Sequence, residues 1–204
     1  NTQKSWEELE LKDDFMFAKI MRDRTLCKKM LERLLEIEIE KIEYPEEQKT
    51  IDLSYDSRSI RLDLYVKDNK DTVYNVEIQT VDTKELPKRS RYYQGMIDLN
   101  LIEKGEPYQK LNRSYVIFIC TFDLFGEGLY RYTFENLCRE KTDLSLNDEA
   151  IKIFFNTSGT KGEITDEAKA FLKYVGGVSS EDSYVQELQA KINNAKRNEE
   201  WRRE

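Results

Sequence analysis

The chain of 204 residues predicts an α/β fold built on a central mixed β-sheet, on three observations. Apolar residues recur at helical spacing through the first 35 positions. A block of alternating, strand-like segments follows. Then Ser114 to Thr121, SYVIFICT, forms a continuous apolar run bounded by polar residues, as a strand buried on both faces requires.

Taken in order, Phe15, Phe17, Ile20, Met21, Met30, Leu31, Leu34 and Leu35 fit two helices between Trp6 and Leu35, broken near Asp23 to Thr25, with Asp13 and Asp14 suited to a helix start. Strands are expected at Ile37 to Tyr44, Thr50 to Tyr55, Ile60 to Val66 and Val73 to Thr80, with turn-formers at Asp56-Ser57 and Asp68 to Asp71. Pro87 suits the first turn of a helix running to about Lys104, where Gly105 ends it. After the buried strand come a turn at Phe125 to Gly128 (FGEG), strands at Tyr130 to Phe134 and Ile151 to Phe155, and helices at Asp166 to Tyr174 and Glu181 to Arg203. The last helix is highly charged and is expected to project from the core as a C-terminal extension. The chain divides into a domain over residues 1–178 and that helix over 179–204, and the uncapped WRRE ending suggests a longer protein. No glycine-rich phosphate loop follows a strand, which excludes a doubly wound nucleotide fold.

Composition narrows the chemistry. There is no histidine, which removes Ser-His-Asp and Cys-His triads, His-dependent zinc hydrolases and histidine general bases together. A metal site would be made of oxygen donors, which favours Mg²⁺, Mn²⁺ or Ca²⁺. Three widely spaced cysteines without a CxxC pattern fit a reducing, cytoplasmic setting. No apolar run is long enough for a membrane span. The net charge of −7 means that contact with a polyanion would rest on a local basic cluster; the densest one near the candidate site is Lys84, Lys88, Arg89 and Arg91, which could equally be a solvated helix face.

The hairpin Ile60 to Thr80 carries the functional argument. Ile60, Leu62, Leu64 and Val66 alternate with Arg61, Asp63 and Tyr65, and Tyr74, Val76 and Ile78 alternate with Asn75, Glu77 and Gln79. A turn centred on Lys70 pairs residues whose numbers add to 140, which aligns Leu64 with Val76, Leu62 with Ile78, and Asp63 with Glu77. Two carboxylates directly opposite each other repel, and a divalent cation would turn that repulsion into chelation. Otherwise the pair lies on a solvated face with Arg61 neutralising one member.

The stretch RLDLYVKDNKDTVYNVEIQT resembles the catalytic hairpin of the PD-(D/E)XK superfamily. Together with LKDDFMFAKIM, ELPKRSRYYQGMID, YVIFICTFDLFG and YRYTFEN, in that order, residues from about Leu11 to Gly177 resemble the PD-(D/E)XK nuclease family transposases, related to the recombination-promoting nucleases. The resemblance implies a restriction-endonuclease-like core. It makes Asp63 and Glu77 the two acids of the motif and puts Gln79 where lysine is commoner. It also implies that the Ile78 carbonyl and an acid of the first helix, Asp14 in preference to Asp13, help hold Mg²⁺ or Mn²⁺. The implied activity is metal-dependent hydrolysis of DNA phosphodiesters. Lys84, Lys88, Arg89, Arg91 and Gln94 are expected at the nucleic-acid surface, Arg91 and Gln94 on one helix face. One of Tyr92 and Tyr93 is expected in the core. An RNA substrate, a homodimer, and a binding module whose catalytic site has decayed stay open as alternatives.

Overall fold

The structure, a computed structural model, describes residues 4–45 and 64–198, together with the backbone of 50–51 and 60–61. Helix α1 (Asp14–Ile20) follows Asp13, whose carboxylate is held by Lys4 Nζ and the Glu10 N–H. Helix α2 (Arg24–Leu35) begins where Asp23 accepts from the Leu26 N–H, an N-cap that explains the break between the two helices, and it ends with Glu36 in the left-handed region. Strand β1 (Ile42–Glu43) is short. Strands β2 (Thr50–Ile51) and β3 (Ile60–Arg61) pair with each other in a small separate sheet.

The main hairpin is β4 (Leu64–Asp68) and β5 (Val73–Gln79), followed by α3 (Leu86–Leu101) and β6 (Ser114–Cys120). Next come β7 (Arg131–Phe134), a hairpin of β8 (Leu137–Cys138) and β9 (Lys141–Ser145), and β10 (Ala150–Asn156). Helices α4 (Asp166–Val175) and α5 (Ser183–Arg197) follow. Among the described residues, six strands form one mixed sheet in the order β1-β4-β5-β6-β10-β7. In it β5, β6 and β10 are parallel, and the outer pairs are antiparallel.

Both faces of this sheet are covered, as the continuous apolar run of β6 requires. On one face Leu64, Val66, Tyr74, Val76, Ile78, Ile117 and Ile119 meet Met16, Phe17, Leu31, Phe171 and Leu188 from α1, α2, α4 and α5. On the other, Val73, Val116, Phe118, Cys120 and Phe154 meet Leu86, Tyr93, Met96 and Ile97 of α3. The fold is an α/β sandwich of the restriction-endonuclease-like kind, as the sequence predicts.

Several details differ from the sequence reading. Helix α5 does not project: Tyr184, Val185, Leu188, Ile192 and Ala195 are buried, and Trp6 Nε1 donates to the Lys196 carbonyl at 3.0 Å. Its charges lie on the outward side of an amphipathic helix, and its inward residues recur at i, i+3 or i+4. Helix α3 stops at Leu101 because Ile102 is already extended; Gly105, with φ +90°, turns the chain only afterwards. Within the predicted strand from Ile37 to Tyr44, only Ile42–Glu43 pairs. Of the predicted strands Thr50 to Tyr55 and Ile60 to Val66, residues 52–55 and 62–63 lie outside the described residues. The β8–β9 hairpin was not foreseen, since LCREKTDLS lacks the alternation that marks a half-buried strand.

Candidate active site

Between Leu64 and Lys67, β4 meets β5 as Leu64–Val76, Tyr65–Asn75, Val66–Tyr74 and Lys67–Val73, the register in which paired numbers add to 140. Asp68 fixes the turn. It accepts from the Lys70 and Thr72 N–H groups at 2.8 and 3.0 Å and from the Tyr74 hydroxyl at 2.7 Å. Asp63, and with it the expected pairing to Glu77, lies outside the described residues.

Glu77 points from β5 to the face covered by α3, and only 3 % of its surface is exposed. Gln79, two residues along the same face, donates Nε2 to Glu77 Oε2 at 3.4 Å. On the neighbouring strand Phe118 is level with Glu77, and the Tyr93 ring of α3 stacks on Phe118 with centroids 6.0 Å apart. Arg89 lies 5.8 Å from the Tyr93 centroid, so the basic first half of α3 roofs the part of the sheet that carries Glu77. The surrounding face is not the solvated one that a polar alternation allows.

Backbone direction matters as much as the side chains. The Val73 N–H donates to the Arg113 carbonyl and the Gln79 carbonyl accepts from the Thr121 N–H, so odd-numbered residues of β5 bond to β6. The Ile78 carbonyl therefore points to the β4 side. Asn75 is fully buried on the Glu77 face. Its Nδ2 donates to the Leu64 carbonyl at 3.3 Å, whereas its Oδ1 has no hydrogen-bond partner among the described residues.

The other predicted site residues are scattered in role. Asp14 opens α1, where partial desolvation by the surrounding chain and the neighbouring Asp13 raise its carboxyl above the usual range. Lys84, at φ +63°, is tied to Asp82 by its N–H and by its ammonium at 2.7 Å. Lys88 and Arg91 stand exposed on α3, and Arg89 is half-buried against Tyr93. Gln94 requires a correction: it does not share an open face with Arg91. It is buried, with Nε2 donating to Asp98 Oδ1 and to Ser114 Oγ and Oε1 accepting from Ser114 Oγ, so its amide is used inside the protein. Tyr93 is the core tyrosine and Tyr92 the exposed one. Among the described residues, no three Asp, Glu or Cys side chains gather as a metal cluster.

The family model for PD-(D/E)XK nuclease family transposases matches residues 11–175. The chain belongs to that family. No curated protein and no solved structure matches it. Glu77 lies buried on β5, the second strand of the β4–β5 hairpin, within the matched residues. Two features of this family member escaped sequence reasoning. One is the Gln94–Ser114–Asp98 group. The other is Asp123, whose carboxylate accepts from the Gly126 and Gly128 N–H groups and the Tyr132 hydroxyl. The glycines of FGEG signalled the second, and nothing local signals the first. Among the described residues no helix is long and apolar enough to cross a membrane.

Proposed function

We propose that this protein is a metal-dependent endonuclease that hydrolyses DNA phosphodiester bonds, with Asp63, Glu77, Gln79 and the Ile78 carbonyl forming its active site. One observation supports this most. The pairing of Leu64 with Val76 has the register in which the sequence pattern expects Asp63 across from Glu77, and the Ile78 carbonyl points to the β4 side. The donors fit a hard cation, because all are oxygens and the chain has no histidine to offer.

Asp63, Glu77 and the Ile78 carbonyl would hold Mg²⁺ or Mn²⁺; Asp14 belongs to α1, which packs on the sheet face opposite the one that Glu77 enters. The cation supplies Lewis-acid activation of water and neutralises charge on the scissile phosphate. The protein's own residues do the rest. Gln79 orients the attacking water by hydrogen bonding, and its bond to Glu77 fixes the amide for that task. Asn75 Oδ1 supplies a further acceptor on this face. Lys88 and Arg91, exposed on the helix that covers the site, position the DNA backbone through phosphate contacts.

Cleavage of plasmid DNA and of single-stranded RNA by purified protein, with Mg²⁺, with Mn²⁺ and with EDTA, tests this reading. Metal-dependent DNA cleavage that disappears in both Asp63→Ala and Glu77→Ala is expected. No cleavage of either substrate by the unmodified protein, with DNA binding retained, would favour a binding module with a lapsed catalytic site. Full cleavage by the Glu77→Ala protein would place the chemistry elsewhere.

A further inference from the structure

Strand β7 ends the main sheet and is paired with β10 on one side only. Two hydrogen bonds fix where its backbone groups point. The Thr157 N–H donates to the Cys120 carbonyl at 3.0 Å, so odd-numbered residues of β10 bond to β6. The Asn156 N–H donates to the Tyr130 carbonyl at 2.8 Å, so even-numbered residues of β10 bond to β7. By the alternation of an antiparallel ladder, Tyr132 and Phe134 use their N–H and C=O groups on β10, and Arg131 and Thr133 turn theirs outward. Among the described residues those outward groups have no backbone partner.

The open stretch is short and bounded. Before it, the backbone bends at Tyr130, whose carbonyl accepts from the Asn156 N–H and whose N–H donates to the Lys161 carbonyl at 3.1 Å. After it, the chain leaves at Asn136 for the β8–β9 hairpin. What remains is Arg131 to Glu135, reading RYTFE.

That sequence is complementary to itself when run backwards. Antiparallel pairing about Thr133 sets Arg131 against Glu135 at both ends, Thr133 against Thr133 at the centre, and Tyr132 against Phe134 between. These are opposite-charge, hydroxyl and aromatic pairs, the kinds that favour cross-strand contact. The parity agrees. Arg131, Thr133 and, by the same alternation, Glu135 become the hydrogen-bonded pairs, and Tyr132–Phe134 takes the closer non-hydrogen-bonded spacing.

We infer that β7 pairs with β7 of a second copy of this chain across a two-fold axis, joining two sheets into one. Natural sheet edges are commonly guarded by lysine, proline or a bulge in mid-strand. Here mid-strand is Thr133, and the charges stand at the two ends in the self-complementary order. Phe134, 45 % exposed, lies in the contact. The next exposed apolar side chains, Leu137, Leu144 and Leu146, sit on the hairpin that leaves the same edge. An isologous contact of this kind closes on itself and stops at a dimer.

Sedimentation of the intact chain at increasing concentration tests the inference, with circular dichroism as the check on folding. The unmodified chain should be dimeric by about 100 µM, and Arg131→Glu should weaken the dimer about ten- to thirtyfold, since both symmetry-related ion pairs become repulsive. Arg131→Glu combined with Glu135→Arg should restore it. Arg131→Glu is the cleaner single change, because Glu135 also lies in the field of Arg113. Should Arg131→Glu fail to fold, Thr133→Lys at an exposed position sets two cations face to face on the axis and should also give monomers. A monomeric unmodified chain at that concentration overturns the inference and leaves the edge to another partner. So does a dimer indifferent to Arg131→Glu or, where that variant does not fold, to Thr133→Lys, and so does a double variant that folds but stays monomeric.

Discussion

Gln79 Nε2 stands 3.4 Å from Glu77 Oε2 on the same face of β5, so the residue proposed to orient water is hydrogen-bonded to the acid proposed to hold the metal. A lysine at 79 would reach the same carboxylate as an ion pair. Gln79→Lys should therefore fold normally and cleave at least as fast as the unmodified protein. Gln79→Ala should keep metal affinity but lose about two orders of magnitude in turnover, the usual scale for a group that positions a proton-transferring water. Single-turnover cleavage alongside calorimetric Mn²⁺ titration separates the two effects, and loss of metal binding in Gln79→Ala would make it part of the metal shell instead.

The exposed cations of α3 are Lys88 and Arg91, whereas Arg89 is engaged with Tyr93 and Lys84 with Asp82. Replacing Lys88 and Arg91 with alanine should weaken DNA binding and flatten its log-log salt dependence by about two, one per lost phosphate contact. The melting temperature should hardly move. Arg89→Ala, by contrast, should cost stability through the Tyr93 contact, and equal slopes for the two proteins would reverse this assignment.

Burial raises the Asp98 carboxyl above the usual range. The Gln94 bond and Lys152 oppose the shift, and Asp148 adds to it. A raised folded-state pKa means that the folded protein binds this proton more tightly, so Asp98 contributes stability below its ordinary pKa and loses it as pH rises through the folded value. Asp98→Asn should leave stability little changed near pH 4 and raise it near pH 7, measured by urea unfolding at both. A larger gain at the acidic end would contradict the direction of the shift.

Asp123 behaves oppositely. Burial pushes its carboxyl up, but the Tyr132 hydroxyl and the Gly128 and Gly126 N–H groups outweigh that, and the net shift is downward. Its contribution is thus present above the ordinary carboxylate pKa and lost as pH falls through the folded value. Asp123→Ala removes the acceptor for three donors and should cost about 2 kcal/mol at neutral pH, less at pH 3. Thermal unfolding across that range checks it.

Much of this was legible because β-structure writes its faces in alternation. The alternation of apolar residues on both arms of the Ile60 to Thr80 hairpin admits one register, and the pairs from Leu64 to Lys67 have it. The buried strand was legible for the opposite reason, since SYVIFIC has no polar face to show. Gln94 was misread because Arg91 and Gln94 are three apart, which puts residues near each other on a helix without saying which side the sheet lies on. The position of Ser114 settles that, and Ser114 is distant in sequence. Helix α5 was misread because the span Glu181 to Arg203 is rich in charge, although five inward residues are enough to dock the helix.

Strand β5 is hydrogen-bonded to β6 along its whole length and to β4 from Val73 to Val76, and it is covered on both faces, which has a kinetic consequence for Glu77. Amide protons of β5 can exchange with solvent only when the neighbouring strands separate, which takes opening of the whole domain. The β8–β9 hairpin, exposed along nearly all its length, can fray without disturbing anything else. Glu77 is therefore expected in the slowest-opening part of the molecule, and conformational adjustment is expected at the rim.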